Sequence, residues 1–161
     1  MKHLTAFVLL GAAAAVAYSA DLTVILKEFP ATWSQKVYTR ANGFDATVRE
    51  KKGLDVHLWV RSDYAPDAYM TLATTSVQTQ AETPRAIAID LGSGTKALWI
   101  RMPKNAVFFL QVGRLGAKVV VLTRSYRENG ETVHNANLTE AQVNWAIARM
   151  KKIAERLRSL Q

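Results

Sequence analysis

The sequence predicts a mainly β domain with a C-terminal helix, of the α+β class. The expected form is an antiparallel meander, making a curved sheet or barrel closed by one long amphipathic helix. Three observations predict it. Short stretches of alternating apolar and polar residues recur between tight-turn signals along most of the chain. One long stretch at the end carries apolar residues every three or four positions. No repeat, linker or low-complexity segment interrupts the order. A β-sandwich with an appended helix is the alternative arrangement of the same elements.

Taken in order, residues 22–27 (LTVILK) read as the first strand. Residues 32–35 fit either a loop or a helical turn. Residues 36–41 and 44–50 flank Asn42-Gly43, a pair that tolerates the positive φ angles of a type I′ hairpin. Lys51-Lys52-Gly53 turns into residues 54–61 (LDVHLWVR), where Leu54, Val56, Leu58 and Val60 alternate with Asp55, His57, Trp59 and Arg61. Residues 63–67 and 80–84 read as loops, and the Thr-rich residues 69–79 between them as β-prone. Residues 86–91 and 96–102 flank a Gly-Ser-Gly-Thr hairpin turn. Residues 106–112 and 117–125 are joined by a turn bracketed by Gly113 and Gly116, and Asn129-Gly130 turns into a short strand near 132–135.

The helix is expected at about residues 139–159. Thr139 and Gln142 are spaced as a capping box, and Leu138 and Val143 as a hydrophobic staple. Val143, Ala146, Ile147, Met150, Ile153, Ala154, Leu157 and Leu160 form one apolar stripe. Such a stripe packs against the sheet formed before it. The layout is similar to lipocalin-like barrels, which also place a helix after a meander, but their Gly-x-Trp signature is missing near the first strand.

Residues 1–20 read as a secretory signal peptide. Lys2 precedes a thirteen-residue apolar stretch, residues 4–16, interrupted only by Thr5, and small residues follow. Cleavage is expected after Ala17 or Ala20, leaving residues 21–161 as a single soluble domain with no transmembrane segment. Loss of Lys2 takes the net charge from +8 to +7. The chain has no cysteine, which suits a bacterial periplasmic or secreted protein better than a disulfide-stapled one. The basic surplus favours anionic partners of the cell envelope, and no nucleic acid is expected.

Residues 88–96 (AIDLGSGTK) resemble the first phosphate loop of actin-like and sugar-kinase ATPases. The resemblance implies that Asp90 serves a metal and the glycine turn wraps phosphate. It stops at these residues and no second phosphate loop follows, whereas a hairpin turn accounts for the glycines. Ser93 lacks the G-x-S-x-G spacing of a nucleophile elbow. His57 and His134 have no metal-ligand spacing. Asp45, Glu50, Asp55, Asp63, Asp67 and Asp90 include no spacing that selects a hydrolytic pair. No enzyme, cofactor or metal site is therefore expected.

What remains is an aromatic–cationic set. On an extended chain, His57, Trp59 and Arg61 share the face opposite the apolar one, and Trp99 and Arg101 lie opposite Leu98, Ile100 and Met102. Trp beside Arg stacks on sugars and pairs with anions. The expected function is a non-enzymatic binding module for an anionic or aromatic/glycan envelope ligand, held by His57, Trp59, Arg61, Trp99 and Arg101. The alternatives are a protein-interaction factor, such as an envelope assembly component or inhibitor, and a small envelope hydrolase.

Overall fold

The structure is a computed structural model, and it describes residues 22–62, 87–92, 95–133 and 136–161. The leader at residues 1–20, its cleavage points, the segments at 63–67, 69–79 and 80–84, Ser93 and His134 lie outside the described residues.

The chain enters as a 3-10 helix, Thr23–Glu28, where a strand was expected. The spacing explains the difference. Leu22, Ile25, Leu26 and Phe29 recur at helical intervals and all four are buried, while Lys27 is exposed. Strand alternation would have set Ile25 against Leu22 and Leu26.

Three strands follow: β1 (Ser34–Arg40), β2 (Gly43–Arg49) and β3 (Leu54–Arg61). They pair antiparallel in sequence order. Arg40 faces Gly43, so the β1–β2 turn is Ala41-Asn42 and not the expected Asn42-Gly43. Gly43 instead begins β2 at φ +155, where an added Cβ would run into the Val60 carbonyl oxygen of β3. The type I′ pattern belongs to Asn129-Gly130, with φ of 50 and 84. These residues join β8 (Tyr126–Glu128) to β9 (Glu131–Val133) in a separate two-stranded hairpin.

The second group of strands is β4 (Ile87–Ala88), β5 (Lys96–Arg101), β6 (Asn105–Val112) and β7 (Leu115–Thr123). The main sheet has seven strands in the order β1-β2-β3-β7-β6-β5-β4, all neighbours antiparallel. This corrects the expected meander and barrel. The sheet is open, neither curled nor closed, and its order departs from a simple meander at β3. There the chain leaves the centre, returns at the far edge as β4, and steps inward until β7 pairs with β3. β1 and β4 stay at opposite edges, so among the described residues no pair closes the sheet. Nor do the strands split into the two packed layers of a β-sandwich, because seven of the nine described strands share one sheet. The physical reason is burial. β3 and β7 are the strands richest in buried aliphatic residues, and pairing them hides both from water.

The C-terminal helix α1 (Glu140–Ser159) closes one face of the sheet. Its capping box is fully formed: Gln142 N donates to Thr139 Oγ1 at 3.2 Å, and Thr139 N to Gln142 Oε1 at 2.9 Å. Leu138 and Val143 are both buried beside it. Val143, Ala146, Met150, Ile153, Ala154 and Leu157 face β6 and the 3-10 helix. Opposite them lie Phe44, Val48, Val56, Leu58, Phe108, Leu110, Val119 and Val121 from the sheet. Three ties fix the helix: Arg101 to Glu140 at 2.6 Å, Arg156 to Glu28 at 2.8 Å, and Arg158 to Thr95 Oγ1 at 2.6 Å. Among the described residues no helix is long and apolar enough to cross a membrane.

Candidate functional site

The register of the sheet sorts the five residues singled out by sequence. Leu58 pairs with Val119, Val119 with Phe108, and Phe108 with Trp99. Trp99 therefore stands on the helix side, with the core. It stacks on Phe108 with ring centroids 5.8 Å apart. Arg101 shares that side and reaches Glu140 in the first turn of α1. His57, Trp59 and Arg61 point to the other side. The five residues thus divide three and two between opposite faces. The reason lies in β5, where Leu98-Trp99-Ile100-Arg101 offers two amphipathic phases. The aromatic phase turns to the core and the aliphatic phase turns away.

The face away from the helix runs in rows across the strands. Tyr38, Asp45, Trp59, Lys118, Phe109 and Leu98 form one row. Lys36, Thr47, His57, Val120, Val107 and Ile100 form the next. Phe109 and Ile100 are buried at 7% and 5% exposure, so the accessible part is the β1–β2–β3–β7 end. There Trp59 and His57 are partly exposed and stacked, with centroids 6.1 Å apart and planes 19° from parallel. The Lys118 ammonium lies 5.3 Å from the Trp59 ring and 5.8 Å from Phe109. Lys36 repeats the motif over Tyr38 at 5.1 Å. Beside this pair, Ser34, Lys36, Tyr38, Thr47 and Arg49 line a shallow depression of about 350 Å³. Flat rings with ammonium groups beside them offer stacking surface and positive charge together.

The carboxylates on this face are engaged. Asp45 accepts from Arg40 at 2.7 Å and from Arg61 at 2.5 Å. Burial pushes its pKa up, but the hydrogen bonds and charges of Arg61 and Arg40 outweigh burial and hold the carboxyl below its usual range. Arg61 also donates to the Phe44 and Val60 carbonyls, each at 2.9 Å. It is thereby fixed inside the fold, bracing β2 against β3. Arg49 binds Asp55 at 2.9 Å, and His57 Nε2 stands 3.9 Å from the same carboxylate. Lys118 differs: among the described residues it has no carboxylate partner.

Lys118, Lys36 and Tyr38 join this face from outside the set expected from sequence. Lys118 left a trace, as the one cation inside the apolar run at residues 117–122, but its position opposite Trp59 is set by pairing across strands distant in sequence. Trp33 and Trp145 also lie outside that set. They stack at 5.2 Å on the helix side, with the Arg149 guanidinium 5.2 Å from Trp145. Within the string resembling a phosphate loop, Asp90 Oδ1 accepts from Gly92 N at 2.7 Å, and Arg158 donates to the Gly92 carbonyl at 2.8 Å. Among the described residues, no three His, Cys, Asp or Glu side chains cluster to hold a metal.

No family model matches the chain, and neither a curated protein nor a solved structure matches it significantly.

Proposed function

We propose that this protein is an exported, non-enzymatic binding module that takes an anionic glycan on the cationic–aromatic face of β1, β2, β3 and β7. One observation carries the reading. A partly exposed Trp59 lies between His57 and a Lys118 that no described carboxylate neutralises. An indole face stacks on the apolar face of a sugar ring, and a nearby ammonium pairs with its acidic substituent. The surplus of positive charge draws polyanions to the same surface. Export rests on the charge, apolar stretch and small residues at positions 1–20, and a periplasmic setting on the absence of cysteine.

Calorimetric titration with tetragalacturonate, an acidic oligosaccharide, tests the reading against maltotetraose, a neutral one of equal length. Tetragalacturonate is expected to bind and maltotetraose to bind at least tenfold more weakly. Lys118→Ala should weaken the acidic ligand about fivefold to thirtyfold, the loss of one charge-assisted contact. Equal binding of both oligosaccharides, or binding indifferent to Lys118, contradicts it.

A further inference from the structure

The two edges of the main sheet are unequal. β4 has two residues and β1 has seven. Short edges and edge charges both hinder strand addition; β1 is long, and its charges are Lys36 and Arg40. All seven of its residues are exposed, with Val37 at 39% and Tyr38 at 45%. Among the described residues β1 has one neighbour, β2.

The hairpin fixes which backbone groups are open. In a two-residue hairpin the flanking pair exchanges hydrogen bonds, so Arg40 and every second residue before it turn toward β2. Gln35, Val37 and Thr39 therefore present their N–H and C=O groups outward. On the helix side the same edge overhangs a groove of about 800 Å³, whose walls include Leu26, Phe29, Ala31, Trp33 and Val37.

From this edge we infer that the protein forms a homodimer in which β1 pairs antiparallel with β1 of a second copy, about a twofold axis through Val37. The sequence of the strand is self-complementary in that register. With the axis at Val37, Lys36 faces Tyr38 of the second copy, Ser34 faces Arg40, and Gln35 faces Thr39. No two cations oppose each other. The Lys36–Tyr38 contact across the axis repeats one already made within the strand. Arg40 is paired with Asp45 at 2.7 Å. An axis at Lys36 would oppose two lysines, and an axis at Tyr38 would set Lys36 against Arg40; both registers are repulsive. The Val37 register also matches the outward backbone groups. Three residue pairs exchange about six hydrogen bonds, and Val37, Gln35 and Thr39 of each copy reach over the apolar groove of the other. The contact is isologous and closes at two copies. It joins two sheets into one, with both cationic–aromatic faces on the same side.

Sedimentation of the purified protein from micromolar to millimolar concentration tests this. The wild-type chain is expected to reach twice the monomer mass. Two basic copies repel at long range, so added salt should strengthen the dimer. Val37→Lys opposes two ammonium groups at the axis and is expected to give a monomer with an unchanged far-ultraviolet spectrum. A second variant uses the cysteine-free background. Val37→Cys should cross-link to a dimer with a short bifunctional thiol reagent, whereas Ile87→Cys on β4 should not. A wild-type protein monomeric at every concentration overturns the proposal, including one that pairs with a strand of another protein. So does a dimer that Val37→Lys leaves intact, or cross-linking equal at both edges.

Discussion

Asp45 binds two arginines at once, and its titration follows from that. Its folded pKa lies below the unfolded value, about 3.9, because Arg61 and Arg40 together outweigh burial. The stabilisation is fully present above that value and is lost as pH falls through the lower, folded one. Asp45→Asn should cost about 1–3 kcal/mol at neutral pH, since it leaves the Arg61 guanidinium without its counter-charge. The variant should also lose stability less steeply than the parent below about pH 4. Urea titrations at neutral and acid pH read both effects. Two glycines make a second comparison. Gly43→Ala meets both a positive φ and the Val60 carbonyl, whereas Gly130→Ala meets a positive φ and nothing within 4 Å. The first should cost about 2–3 kcal/mol and the second about 1 kcal/mol in the same assay.

At the scale of elements, the helix and the strands of His57 and Trp99 test how the sheet and helix divide their work. The Thr139 cap satisfies a backbone donor at the start of α1, so Thr139→Ala should lower stability by about 1 kcal/mol in thermal unfolding. Trp99 packs on Phe108 beneath the helix. Trp99→Ala should therefore cost about 3 kcal/mol and leave glycan affinity unchanged, the reverse of Trp59→Ala.

These elements also show what was legible in sequence. Strict alternation over Leu54–Arg61 placed β3 at its observed bounds, and the Thr139–Gln142 spacing placed the helix start. Both signals are local. The 3-10 helix is not legible in sequence because its β-branched residues outweigh a helical spacing only four apolar residues long. In β5 the alternation was legible but its phase was not, since either side of Leu98-Trp99-Ile100-Arg101 can face a core. The β3–β7 pair joins residues about sixty positions apart, and no local pattern encodes such a partner. For that reason the sheet order, its openness and the place of Lys118 beside Trp59 emerge only in three dimensions.

At the scale of the whole molecule, one surplus of positive charge acts on two proposed contacts in opposite directions. Salt should weaken the anionic glycan, which pairs with Lys118, and strengthen the β1 dimer, whose copies repel. Both trends are measurable on one preparation. Of the four tryptophans, Trp59 is the one proposed to meet ligand. Each indole N–H gives its own proton–nitrogen resonance, assignable by single Trp→Phe replacement. On titration with tetragalacturonate, the Trp59 signal should move progressively while those of Trp33, Trp99 and Trp145 hold still. A stationary Trp59 signal, with another indole shifting or none, would contradict the account.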